Sequence, residues 1–153
     1  MHSNFFMTDV KGLTILELTV TLALAAALAG VGVLGHQALR PGLNLMMASR
    51  QVVMDLQSTR LRAVARNSDE RVVFFIGGTS YRLQEHVGST YNDQGNPITL
   101  PAGIIIQECT ARGAAISFRP RGSASVFGTV TLQNARGEVR SVVVDIAGQV
   151  RVQ

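Results

Sequence analysis

No Asp, Glu, Lys or Arg occurs between Leu18 and Leu39, where Ala and Leu dominate. As a helix rising ~1.5 Å per residue this stretch spans about 33 Å, enough for a bilayer core. Gly30, Gly32 and Gly35 lie at its far end, where helices can approach closely. Pro41-Gly42 follows Arg40 and is expected to kink or interrupt the chain there. From Leu45 to Asn67 the pattern acquires a helical period. Gln51, Asp55, Ser58, Arg62 and Arg66 form one stripe, and Leu45, Met46, Val52, Val53, Leu56, Ala63 and Val64 lie on the opposite arc. That arc should pack on a sheet. Arg60 falls inside it and is expected to lay its stem on the sheet while its guanidinium reaches the edge or a carboxylate.

After Arg71 the period shortens to that of strands. Arg71 to Ile76, Ser80 to Glu85, Ile98 to Leu100, Ile104 to Gln107, Ala115 to Phe118, Gly128 to Gln133, Val139 to Ile146 and Gln149 to Val152 are the predicted strands. Gly77-Gly78, Asp93 to Pro97, Pro101 to Gly103, Arg136-Gly137 and Ala147-Gly148 punctuate them. The fold class is therefore α+β, a long N-terminal helix packed through its second half on a C-terminal antiparallel sheet domain.

Composition narrows the choice of function. At 153 residues the chain holds one domain and one additional element, and 46% hydrophobic against 16% charged residues excludes a disordered chain. Thirteen arginines and the single Lys11 leave a net charge of +4, a bias toward phosphate, lipid headgroup or carboxylate partners. Cys109 is the only cysteine, so no internal disulfide forms and the thiol is expected to be buried. Catalytic chemistry finds little support. His2, His36 and His86 stand apart without metal-ligand spacing, Gly77-Gly78 leads from strand to strand, and Asp69-Glu70 reads as a solvated cap at a helix end. A structural protein without metal or cofactor is the expectation.

Three readings of the N-terminus compete. A secretory signal peptide would use Lys11 as its charged region and be cut near Ala27 to Gly30, and a simple anchor would stay uncut. Both leave Glu17 unexplained, because a carboxylate in an apolar stretch is disfavoured by roughly 2.5 to 3.5 kcal/mol on insertion scales. The third rests on Lys11-Gly12-Leu13-Thr14-Ile15-Leu16-Glu17, which resembles the processing site of type IV prepilins and pseudopilins. The resemblance implies cleavage after Gly12 by a prepilin peptidase and methylation of the new amine at Leu13. Glu17 would then answer that amine in a filament and act as a registry device, since a buried pair costs less than either ion alone. It divides the chain into a leader (1–12), a transmembrane helix (13–39), an amphipathic helix (40–67) and a β-rich periplasmic domain (68–153).

Asp55 to Asn67, and the strands from Ile116 to Val152, resemble the GspH/FimT group of pilin-like proteins, with Gly88 to Pro97 as a variable loop. The group implies a single-pass inner-membrane subunit with its C-terminal domain in the periplasm, extracted into a filament. Its partners would be the peptidase, other pilins or pseudopilins, the inner-membrane assembly platform and membrane lipid. A minor pseudopilin of type II secretion is the first expectation, and a FimT-like minor pilin of a type IV pilus the alternative. Some FimT-like proteins carry a Gly-Arg-x-Arg motif for DNA. Here the matching residues are Gly148-Gln149-Val150-Arg151, so one arginine is missing, and Arg136, Arg140 and Arg151 are the candidates for DNA or partner contact. DNA is the weaker partner.

Overall fold

The computed structural model describes residues 14–153, with 29–39 described by their helical backbone alone. Lys11, Gly12, Leu13, His2 and the leader lie outside the described residues, as does the side chain of His36. Contacts divide the chain into two compact units at Ala38/Leu39. Helix α1 (Ile15–Arg66) contributes to both and contains Pro41. Of the kink or interruption expected at Pro41-Gly42, the interruption does not occur. A proline removes one backbone donor, but its φ suits a helix and the turns that follow keep their bonds.

In the second unit α1 presents Leu45, Ala48, Ser49, Val52, Leu56, Thr59 and Ala63 to the core, all buried. Their spacing of three and four residues makes one stripe. Met46 and Val53 are half-buried and Val64 is exposed, so the buried arc is narrower than the apolar pattern suggested and relies on small residues that let the strands approach.

Among the described residues, ten strands form two antiparallel sheets. The first runs β3 (Thr90–Asp93), β2 (Ser80–Val87), β1 (Glu70–Phe74), β6 (Ala115–Phe118) and β7 (Ala124–Val126), with the short β4 (Ile98–Thr99) also on β2. The second is β10 (Val150–Val152), β9 (Val139–Val144), β8 (Gly128–Asn134) and β5 (Ile104–Cys109). The β1–β2 turn joins them: Gly77 N–H donates to Ile106 O at 2.8 Å, and Ile106 N–H donates to Gly78 O at 2.9 Å. The shared core gathers Val72, Phe74, Tyr81 and Ile116 from one sheet with Ile104, Ile106, Val130, Leu132 and Val142 from the other. Strands β3 and β7 were not predicted. β3 falls in the stretch read as a variable loop, and it forms because Gly88, at φ 65°, turns the chain so that Thr90 pairs with Val87.

A polar network fixes the end of α1 to the first sheet. Glu70 is 0% exposed, which corrects the expected solvated cap, and it lies directly opposite Glu85 across β1 and β2. Like charges so placed repel. Arg66 answers both, with Nη1 3.2 Å from Glu70 Oε1 and 2.7 Å from Glu85 Oε2. Arg62 Nε adds a contact of 3.2 Å to Glu70 Oε2, and Gln94 Nε2 donates to the same oxygen at 3.1 Å. Two turns before Arg62, Tyr81 donates its hydroxyl to Asp55. Burial, then that carboxylate, pushes the Tyr81 phenol well above its usual range. The stripe read as plainly polar is thus half docked.

Candidate assembly surfaces

Thr14 caps α1. Its Oγ1 accepts the Glu17 N–H at 3.2 Å and its carbonyl accepts the Leu18 N–H at 3.0 Å. Thr14-Ile15-Leu16-Glu17 has the spacing of a capping box, and a carboxylate in the first turn also complements the helix dipole. The Thr-x-x-Glu spacing is legible in the sequence itself, beside the charge of Glu17. Glu17 is exposed, as are Ile15, Leu16, Leu18, Val20, Leu22, Leu24 and Leu28. This part of the helix is therefore apolar on every side, the pattern of a helix that is covered by something else. Among the described residues, no helix is long and apolar enough to cross a membrane. The span expected over Leu18–Leu39 runs into 29–39, whose side chains lie outside the described residues.

The second unit carries another apolar surface that the sequence reading missed. Leu43, Met47, Arg50, Met54, Gln57, Leu61 and Val64 follow one another at alternating steps of four and three residues, and all seven are exposed. At 3.6 residues per turn this stripe lies roughly 180° from the buried one. Leu61 is 68% and Met54 61% exposed. Steps of four and three are the seam of a helix–helix interface. The signal that could have revealed it is the heptad itself, hidden because Arg50 and Gln57 break the run of apolar letters.

Arg60 corrects its expectation in part. Its Nε donates to Gly122 O at 2.7 Å, so the guanidinium meets a backbone carbonyl in the β6–β7 turn instead of a carboxylate. The three candidate arginines do not converge. Arg136 sits in the β8–β9 turn, Arg140 stands opposite Leu132 on β9, and Arg151 stands opposite Val143 on β10. Arg140 and Val143 are an odd number of residues apart, so Arg140 and Arg151 lie on opposite faces of the sheet, about 10 Å apart along the strand. Arg151 donates to Gln149, and its Nη2 lies 3.9 Å from Asp145 Oδ2, which offsets its charge. Cys109 is buried, and that burial raises its thiol pKa. Among the described residues no three His, Cys, Asp or Glu side chains form a metal-sized group.

Residues 48–149 match the family described as type II transport protein GspH. No curated protein matches the chain. Among solved structures, the minor pseudopilin EpsH from the type II secretion system of Vibrio cholerae superposes with a TM-score of 0.61 at 12% identity, covering 72% of this chain and 96% of that one. The type IV minor pilin FimU of Pseudomonas aeruginosa superposes with a TM-score of 0.55 at 14% identity, covering 71% and 92%. At such identities the likeness is one of fold.

Proposed function

Because the chain belongs to the GspH family of type II transport proteins, we propose that it is a minor pseudopilin, a structural subunit that packs by its helix into a short filament of a type II secretion system. The observation that carries this reading is the pair of uncovered apolar helix surfaces, Ile15 to Leu28 on all sides and the heptad stripe from Leu43 to Val64. A monomer gains nothing from either. In this reading the N-terminal half anchors the precursor in the inner membrane, among lipid and the assembly platform, and the β-rich domain faces the periplasm. A prepilin peptidase cuts after Gly12, and Glu17 pairs with the methylated amine of Leu13. The fold shared with FimU supports a second reading, a minor pilin of a type IV pilus. DNA binding draws less support, since Arg136, Arg140 and Arg151 are dispersed and Asp145 offsets one of them.

Two measurements test the proposal. Mass spectrometry of the membrane-extracted protein is expected to give an N-terminus at Leu13 carrying one methyl group; an intact Met1, or a start near Gly30, excludes prepilin processing. Met54→Glu with Leu61→Glu is expected to leave the fold intact, because both side chains are exposed. Burying a Met or Leu in an interface is worth ~1.5–3 kcal/mol each, so incorporation into filaments should fall at least tenfold. Loss of secretion in that strain supports the pseudopilus, and loss of piliation alone supports the pilus. Undiminished incorporation would remove the stripe from the assembly surface.

A further inference from the structure

Arg50 is the only charged residue on the heptad stripe, two turns from one end and flanked by Met47 and Met54. Its charge is unanswered among the described residues. The helix neighbours that could reach it are Met46, Met47, Val53 and Met54, none of them acidic. Among the described residues the ion pairs join Arg62, Arg66, Arg82 and Arg151 to carboxylates, and Arg50 is in none of them. If this face is covered, the guanidinium loses water and needs a countercharge.

A second copy of this chain supplies none on the matching surface, since Leu43, Met47, Met54, Gln57, Leu61 and Val64 carry no acid. Two copies in register would set Arg50 against Arg50. A shift by one heptad would set it against Gln57, which offers a hydrogen bond without a negative charge. From this we infer that the stripe docks a helix of a different protein, one with apolar residues at heptad spacing and an Asp or Glu level with Arg50. The inference rests on the assembly reading and names the partner's chemistry. A buried charge in an otherwise apolar seam sets register and partner choice at some loss of affinity, which makes Arg50 a specificity determinant.

The test uses the full-length chain in the membranes of its own cells, with a benzophenone side chain at position 47. The cross-linked peptide is sequenced and its yield measured for the parent, Arg50→Met and Arg50→Glu. The expected result is a helical peptide of another protein with an Asp or Glu within one turn of the cross-linked residue. Arg50→Glu should lower the yield at least about tenfold. Exchanging the partner's acid for Arg should restore it in the Arg50→Glu chain and lower it in the parent.

Undiminished yield with Arg50→Met would mean that the side chain simply bends out to water, and would overturn the inference. So would a cross-link to a second copy, or to a segment without an acid, while leaving the assembly reading in place. No cross-link to any polypeptide would overturn both.

Discussion

Gly148→Ala is expected to lower the melting temperature of the β-rich domain by roughly 10–20 °C, corresponding to about 3–5 kcal/mol. The cause is a contact between two hairpin turns. Gly148 has φ 78°, and a Cβ built there would lie 2.2 Å from Gly122 O, well inside van der Waals contact. Arg60 Nε donates to that carbonyl at 2.7 Å and would itself lie 3.2 Å from the built Cβ, and Ala124 N–H ties the two turns by donating to Ile146 O at 3.2 Å. Neither turn can retreat alone. The substitution must separate the hairpins, break the Arg60 bond and open the edge of the core at Ala124, in addition to about 1 kcal/mol for a non-glycine at positive φ. Gly137→Ala provides the control. Gly137 has φ 82°, but its built Cβ meets only Gln133 Nε2 at 3.9 Å, so it carries the backbone strain without the collision. Thermal melts of the two variants by circular dichroism should separate widely, and equal shifts would show that the Gly122–Gly148 contact contributes nothing.

The parts of the fold that were legible in the sequence are those where one physical cause acts alone. The strands from β5 to β10 are legible as short strand-like runs broken by turn residues, apart from β7, whose Ala124-Ser125-Val126 is too short to stand out as a run. β3 was missed because Thr90-Tyr91-Asn92-Asp93 has no apolar alternation. It is held on β2 by the hairpin and by Gln84 and Arg82, both of which reach Asp93. On α1 the core positions Ala48, Ser49 and Thr59 escaped notice because close approach to a sheet selects small side chains, which carry little hydropathy. Serine and threonine can be buried there by returning their hydroxyls to the helix backbone: Ser49 Oγ donates to Met46 O at 2.9 Å and Thr59 Oγ1 to Asp55 O at 2.7 Å. The outward stripe was passed over for the opposite reason. The apolar arc that makes the core masks a second arc that nothing among the described residues covers.

Glu70 shows the limit of a local reading, and it carries the second large effect. Adjacent acids at a helix end are ordinarily solvated, yet Glu70 begins β1 and is turned inward against Arg62, Arg66 and Gln94. The burial is asymmetric. Glu70 is fully enclosed, while the side chains of Arg62 and Arg66 remain 29% and 46% exposed. Removing the carboxylate therefore leaves two cations that can turn to water, and Glu70→Gln should cost only about 1–2 kcal/mol. Removing both cations is another matter. Arg62→Met with Arg66→Met leaves a buried carboxylate facing Glu85 with Gln94 as its remaining donor, and breaking a buried pair in this sense costs about 3–5 kcal/mol. Adding Glu70→Gln to the double variant should then recover stability, because the group removed is the one left without a countercharge. Urea unfolding of the four proteins checks the cycle, with the triple variant expected to be more stable than the double by about 1–2 kcal/mol. Additive losses, with the triple the least stable of the four, would mean that the arginines act by packing their stems on β1 and not by answering the charge of Glu70.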